Sequence, residues 1–77
     1  MTVKAFILID TSPGKAKDVV QKLRAVSGVI YAHTVTGPHD IIAMVESADV
    51  SSLGELVVHR IQSVTGVNRS LTSIVAD

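Results

Sequence analysis

Thr34-Val35-Thr36-Gly37-Pro38-His39-Asp40-Ile41 brings more chemically capable residue types together than any other stretch of this chain. Gly37 and Pro38 predict a tight turn between two paired strands, with Asp40 at the start of the second. A carboxylate beside exposed backbone N–H and C=O groups can hold the ammonium of a small zwitterion while nearby donors take its carboxylate. Asp also commonly accepts from the amides of its own turn, and the spacing alone favours that reading. A second segment, Asn68-Arg69-Ser70-Leu71-Thr72-Ser73, puts Asn68, Ser70 and Thr72 on one face of a strand. Alternating hydroxyls can donate to or accept from a ligand, or simply mark the wet face of an edge strand.

Other chemistries lack their residues. There is no cysteine, which removes disulfides, thiolate metal sites and cysteine nucleophiles. His33, His39 and His59 have no ligand spacing such as i, i+4 on a helix. His33 and His39 can approach across the hairpin, but two ligands do not close a site. No metal or cofactor is expected. Gly37-Pro38-His39-Asp40 lacks the lysine and the strand–loop–helix setting of a phosphate loop.

An internal repeat supplies the elements that must position these residues. Shifted by 38 positions, Val19, Val20, Leu23 and Val26 fall on Val57, Val58, Ile61 and Val64, and Ser27-Gly28-Val29 falls on Thr65-Gly66-Val67. A strand over about Val3 to Ile9 is followed by Ser12 as N-cap and Pro13 at the first helical position. Ala16, Val19, Val20, Leu23 and Val26 make an apolar helical stripe, and Gly28 stops the helix as a C′ glycine. Strands follow over about Val29 to Thr36 and Asp40 to Val45. Asp49 or Ser52 caps a second helix with the stripe Leu53, Leu56, Val57, Ile61 and Val64, ended by Gly66. The last strand is Val67 to Val75. The order βαββαβ predicts one α+β ferredoxin-like domain over residues 1–77. Its sheet is four-stranded and antiparallel, both helices lie on one face, and the strands that precede a helix are central.

Seventy-seven residues bury only roughly 60% of the unfolded chain's surface, yet 47% of the residues are hydrophobic. Two helices cover one sheet face, so a lone domain should alternate apolar and polar along its strands. It does not. Phe6 and Leu8 oppose Ile7 on the first strand, and Ile42 and Met44 oppose Ile41 and Ala43 on the third. Leaving one face in water forfeits roughly 1.5–3 kcal/mol per large side chain. Dimerisation through the open sheet face, by way of Phe6, Leu8, Ile42 and Met44, recovers it. Seven basic and seven acidic residues give zero net charge, so nothing supplies the phosphate neutralisation that nucleic-acid binding draws on. No apolar run reaches the ~20 residues of a membrane helix, and no signal-like leader is visible. The expected setting is the cytoplasm.

The βαββαβ order, the Val-Thr-Gly-x-x-Asp-Ile segment from Val35 to Ile41, the Gly-Val pairs at Gly28 and Gly66 and the closing Ser70-x-Thr72 resemble the RAM domain. This is the regulatory C-terminal half of the Lrp/AsnC transcription regulators, and the likeness spans essentially the whole chain. The resemblance implies binding of amino acids or related small effectors where dimers meet, and assembly into octamers or other rings. By position, Gly37, His39 and Asp40 form the loop side of an effector site faced by Ser70 and Thr72, with Asp40 on the ligand's amino group. The chain resembles the family's stand-alone members, which implies no DNA reader of its own and modulation of a full-length Lrp/AsnC-type paralogue by mixed assembly. It is thus expected not to be an enzyme. The competing reading is a dimeric α/β-barrel enzyme of isomerase or monooxygenase type, with His33 or His39 as base and a pocket between sheets. An RNA-binding sheet is disfavoured, because the chain has only two aromatic residues and no basic platform.

Overall fold

The computed structural model describes residues 2–77. Its elements are β1 (Val3–Thr11), α1 (Ala16–Arg24), β2 (Val29–Thr34), β3 (Ile41–Ser47), α2 (Val50–Glu55) and β4 (Val67–Ile74). A π-helical stretch, Leu56–Ile61, continues α2. All pairings are antiparallel and the sheet order is β2-β3-β1-β4, so the two strands that precede a helix are central. The ferredoxin-like α+β expectation holds.

The core lies between this sheet and the two helices. Ala5, Ile7 and Ile9 of β1 and Ile41, Ala43 and Val45 of β3 point into it, meeting Val19, Val20 and Leu23 of α1 and Leu53, Val57 and Ile61 beyond them. The last three recur every four residues. A π turn holds more residues than the 3.6 of an α-helix, so a period of four runs nearly straight along the axis there.

The repeat extends to irregular features. Strand pairing passes over Ile30 in β2 and over its counterpart Asn68 in β4, leaving a bulge in each. Arg24 Nε donates to the Ala32 carbonyl at 2.9 Å, and at the equivalent positions Gln62 Nε2 donates to Ser70 Oγ at 2.9 Å. Each helix is thereby tied to the strand that follows it.

Three local expectations are corrected. Ser12 is not the N-cap of α1 and Pro13 is not its first residue. Lys15 stands at the cap without a side-chain cap bond. The Lys15 amide donates to the Ser12 carbonyl at 3.0 Å, and Gly14 takes φ +77° as the third residue of that turn. Pro then Gly at the centre is the type II pattern, and it delays the helix. Gly28 and Gly66 are not C′ residues either. α1 ends at Arg24, and Gly28 (φ +97°) sits in a later turn closed by the Val29 amide on the Val26 carbonyl at 3.2 Å. Gly66 (φ +101°) does the same after the second helix. Of the two cap candidates for α2, Asp49 is the one used: its carboxylate accepts from the Ser52 amide at 2.7 Å. That bond holds the carboxyl below the usual carboxylate range.

The other sheet face is open. Register places Tyr31, Met44, Phe6 and Ser73 in one row across it, and His33, Ile42, Leu8 and Leu71 in the next. Phe6 is 39% and Leu71 41% exposed. Paired charges bound this apolar belt, with Lys4 opposite Glu46 at one end and Asp10 opposite Arg69 at the other.

Candidate functional site: a loop clamped to the end of β1

At the end of β1 the bulge between Asp10 and Thr11 interrupts the ladder with β4. Ser12 and Lys4 bond on the β4 side and Ile9 on the β3 side, so the Thr11 amide points to the β3 side. There β3 begins only at Ile41, opposite Ile9, and the amide must find another acceptor. For Thr11 that acceptor is Asp40. Its Oδ2 takes the Thr11 amide at 2.8 Å and the Thr11 hydroxyl at 3.2 Å. The Asp40 amide in turn donates to the Ile9 carbonyl at 3.0 Å. Next door, His39 Nδ1 lies 3.0 Å from Asp10 Oδ1. Two consecutive loop residues therefore grip two consecutive strand residues. The expected turn chemistry is met in altered form, since Asp40 serves an amide 29 residues away and not one of its own turn.

The hairpin is wider than a tight turn. β2 stops at Thr34 and β3 starts at Ile41, and the loop between them is closed by the Val35 amide on the Asp40 carbonyl at 2.9 Å. Gly37 is exposed, its φ is not positive, and a Cβ there would meet nothing within 4 Å.

Asp40 forms one wall of an open cleft of about 550 Å³ lined by Thr11, Ser12, Pro13, Gly14, Ala16 and Lys17. The opposite wall is the start of α1. Its first-turn amides have no side-chain cap, and Lys17 adds a cation. An anionic group thus confronts a donor-rich, positive one. Thr11 and Lys17 were not singled out from sequence, and Ser12 was read only as a helix cap. Thr11 matters because β1 runs past the first residue of β3, which no local motif announces, and Lys17 through a helix start set by the Ser12–Lys15 turn.

Ser70 and Thr72 do not face the loop within one chain. Paired opposite Ile9 and Ile7, they point to the helical side of the sheet. Ser70 Oγ is held by Gln62, and Thr72 lines a separate cleft beside α2. Asn68 Oδ1 accepts from Ser12 Oγ at 2.9 Å. His33 and His39 do not meet: His33 stacks on Tyr31 with ring centroids 5.3 Å apart, and His39 faces Asp10. Among the described residues no three His, Asp or Glu side chains gather as a metal site, and no helix is long and apolar enough to cross a membrane.

Comparison with known proteins places this geometry in context. A family model described as the Lrp/AsnC ligand binding domain matches residues 4–77. PH0140, an uncharacterised HTH-type transcriptional regulator of Pyrococcus horikoshii, is 33% identical over 72 residues, which are 94% of this chain and 46% of that protein. The chain thus spans about half the length of the curated relatives it matches. The crystal structure of hypothetical protein PHS023 from Pyrococcus horikoshii, 32% identical, superposes with a TM-score of 0.90 over 96% of this chain and 89% of that one. The transcriptional regulator NMB0573 of Neisseria meningitidis, solved as an L-Met complex, shares the fold with a TM-score of 0.87 at 21% identity, over 97% of this chain and 50% of that one.

Proposed function

Because this chain belongs to the Lrp/AsnC ligand binding domain family, whose members are small-molecule-binding regulatory modules, we propose that it recognises an amino acid or related zwitterion in the cleft beside Asp40. Binding then changes how copies of the chain assemble. One observation carries this reading: the two walls of the cleft are complementary to the two ends of a zwitterion. Asp40 Oδ2 is taken up by Thr11, while Oδ1 has no recorded partner among the described residues and is free for an ammonium. The uncapped amides of α1 and the Lys17 ammonium suit a carboxylate. The fold's appearance in a regulator complexed with L-Met accords with this ligand class.

His39 and Gly37 belong to the site as the clamp and the open tip of the loop. Ser70 and Thr72 enter only as residues offered to a neighbouring copy. The open face pairs with a second copy through Phe6, Leu8, Ile42 and Met44, with Tyr31 and Leu71 extending the same rows. Its charge pairs at either end, Lys4 with Glu46 and Asp10 with Arg69, suit a self-complementary contact. Larger assemblies, including mixed ones with a full-length Lrp/AsnC-type regulator in the cytoplasm, give the effector its consequence, with DNA contact left to the partner. Effector binding shifts assembly only if the ligand prefers one state over another.

Titration calorimetry with a panel of amino acids, followed by sedimentation of the protein with each binder, tests this. At least one amino acid is expected to bind stoichiometrically and to change the sedimenting mass. Absence of heat across the whole panel, with the mass unchanged, would overturn it.

A further inference from the structure

Residues 35–40 connect β2 to β3, and of these His39 alone is not exposed. Its imidazole leans on β1, with Nδ1 3.0 Å from Asp10 Oδ1, and both side chains are half-buried. The chain carries seven acidic and seven basic residues, yet among the described residues this is the one ion-pair contact. A contact made by histidine, where no lysine or arginine pairs, is one that mild acidity can adjust.

His39 acts on the cleft through its neighbour. The peptide unit between His39 and Asp40 donates its amide to the Ile9 carbonyl at 3.0 Å. On one side of that unit the imidazole meets Asp10. On the other, the Asp40 carboxylate accepts from the Thr11 amide and hydroxyl. Three anchors therefore set the place of Asp40 along β1, and losing the first leaves two.

Protonation decides how firm that first anchor is. An imidazolium has a donor at Nδ1 and a charge opposite Asp10, and charge-assisted bonds are roughly twice as strong as neutral ones. A neutral ring has one N–H, and in the tautomer that places it on Nε2 a lone pair faces the carboxylate. Carboxylates, lysine and arginine keep their charge from pH 6 to 8, and the other charged neighbours are of those types. Asp40 follows His39 in the chain, Arg69 on β4 stands opposite Asp10, and Lys17 on α1 lines the cleft with Asp40. His33 on β2 stacks on Tyr31 instead.

We propose that His39 is a positioning residue for Asp40, and that its protonated imidazole on Asp10 fixes the loop where Asp40 receives an ammonium. The cleft is then a proton-sensitive site, tighter in weak acid than in weak base. The positioning of Asp40 concerns the loop alone; the effect on a ligand rests on the zwitterion reading given above.

Two measurements on the whole chain test this, one of them without ligand. Hydrogen-exchange protection of the Thr11 amide, read by NMR and corrected for the intrinsic effect of pH, reports the hold of Asp40. In wild type it should be roughly fivefold greater at pH 6 than at pH 8. His39→Asn keeps a side-chain donor without the charge, and Asp10→Asn removes the anion. Both should lose the difference with circular dichroism unchanged, and either one decides if the other unfolds. His59→Gln, in the π stretch beyond α2, should retain it. Calorimetry with the tightest-binding amino acid of the panel should show a matching gain at pH 6, again roughly fivefold, that is absent in both variants. Equal Thr11 protection at the two pH values in wild type overturns the positioning role. So does a difference that survives in a folded His39→Asn or Asp10→Asn chain, or one lost in His59→Gln. A Thr11 effect without a pH effect on affinity overturns the link to the ligand. If no amino acid binds, the zwitterion reading falls, and Thr11 protection still decides the role of His39.

Discussion

Replacing Asp40 by Asn and by Ala separates what its carboxylate does for the fold from what it does for a ligand. In the fold, Oδ2 accepts two bonds from Thr11, at 2.8 and 3.2 Å. Asparagine retains a carbonyl oxygen in that place, so Asp40→Asn should stay within about 0.5 kcal/mol of wild type. Alanine removes both bonds. At about 1 kcal/mol net for each, reduced because Asp40 is exposed and the freed Thr11 groups can turn to water, the loss should be about 1–2 kcal/mol. For a chain this size that lowers Tm by roughly 4–16 °C. Ligand recognition should behave otherwise, because an ammonium bonded to a carboxylate loses roughly 1.5–3 kcal/mol when the charge is removed. Both variants should therefore bind the amino acid roughly ten- to hundredfold more weakly. Thermal melts at one fixed protein concentration, since assembly itself stabilises, and calorimetry with the best ligand of the panel measure the two effects. If Asp40→Asn binds as tightly as wild type, the carboxylate has no part in recognition and its purpose is to hold Thr11 alone.

Two further predictions concern the frame around the site. Gly66→Ala should cost about 2–4 kcal/mol, because φ is +101° and the new Cβ would lie 2.8 Å from Val19 Cγ2. Gly14→Ala should cost only about 1–2 kcal/mol, since φ is +77° but the surrounding space is open. Equal urea midpoints for the two would remove the steric half of this account. Asp49 has its carboxyl held low chiefly by the Ser52 amide, so its charge stabilises the folded chain above the ordinary Asp range. That contribution fades as pH falls through the lowered value. Asp49→Asn should consequently melt below wild type at pH 7, with the gap closing in acid. A gap that persists undiminished at pH 2 would show that charge is not its source.

Element order and strand faces were legible because they follow from patterns that local residues enforce. The repeat aligned Val19 with Val57 and Leu23 with Ile61, and all four are buried. Phe6, Leu8, Ile42 and Met44 could be set on the open face because strand side chains alternate with period two. What was not legible depended on competition or on distance. Ser12 and Pro13 suit a helix start, but Pro13-Gly14 suits a type II turn equally well, and the turn prevailed because Gly14 takes a positive φ without strain. Asp40 was recognisable as a chemical residue, yet its partner Thr11 lies 29 residues away on β1 and offers its amide because β3 begins only at Ile41, opposite Ile9. The hydroxyl row of β4 read as a ligand surface, although Ser70 repeats the tie made by Ala32 and is held by Gln62. The π stretch has no composition that announces it.

The paired grip at the end of β1 has a mechanical outcome. Asp10 and Thr11 are neighbours on the backbone, but Asp10 sits at the border of the bare β-surface while Thr11 opens onto the cleft. The loop reaches both at once, through His39 and Asp40. Whatever tugs Asp40 away from Thr11 therefore strains the imidazole–carboxylate couple one peptide unit upstream. On the proposed function, a molecule settling into the cleft would reach the border of the open sheet face through His39 and Asp10, without any long relay through the interior.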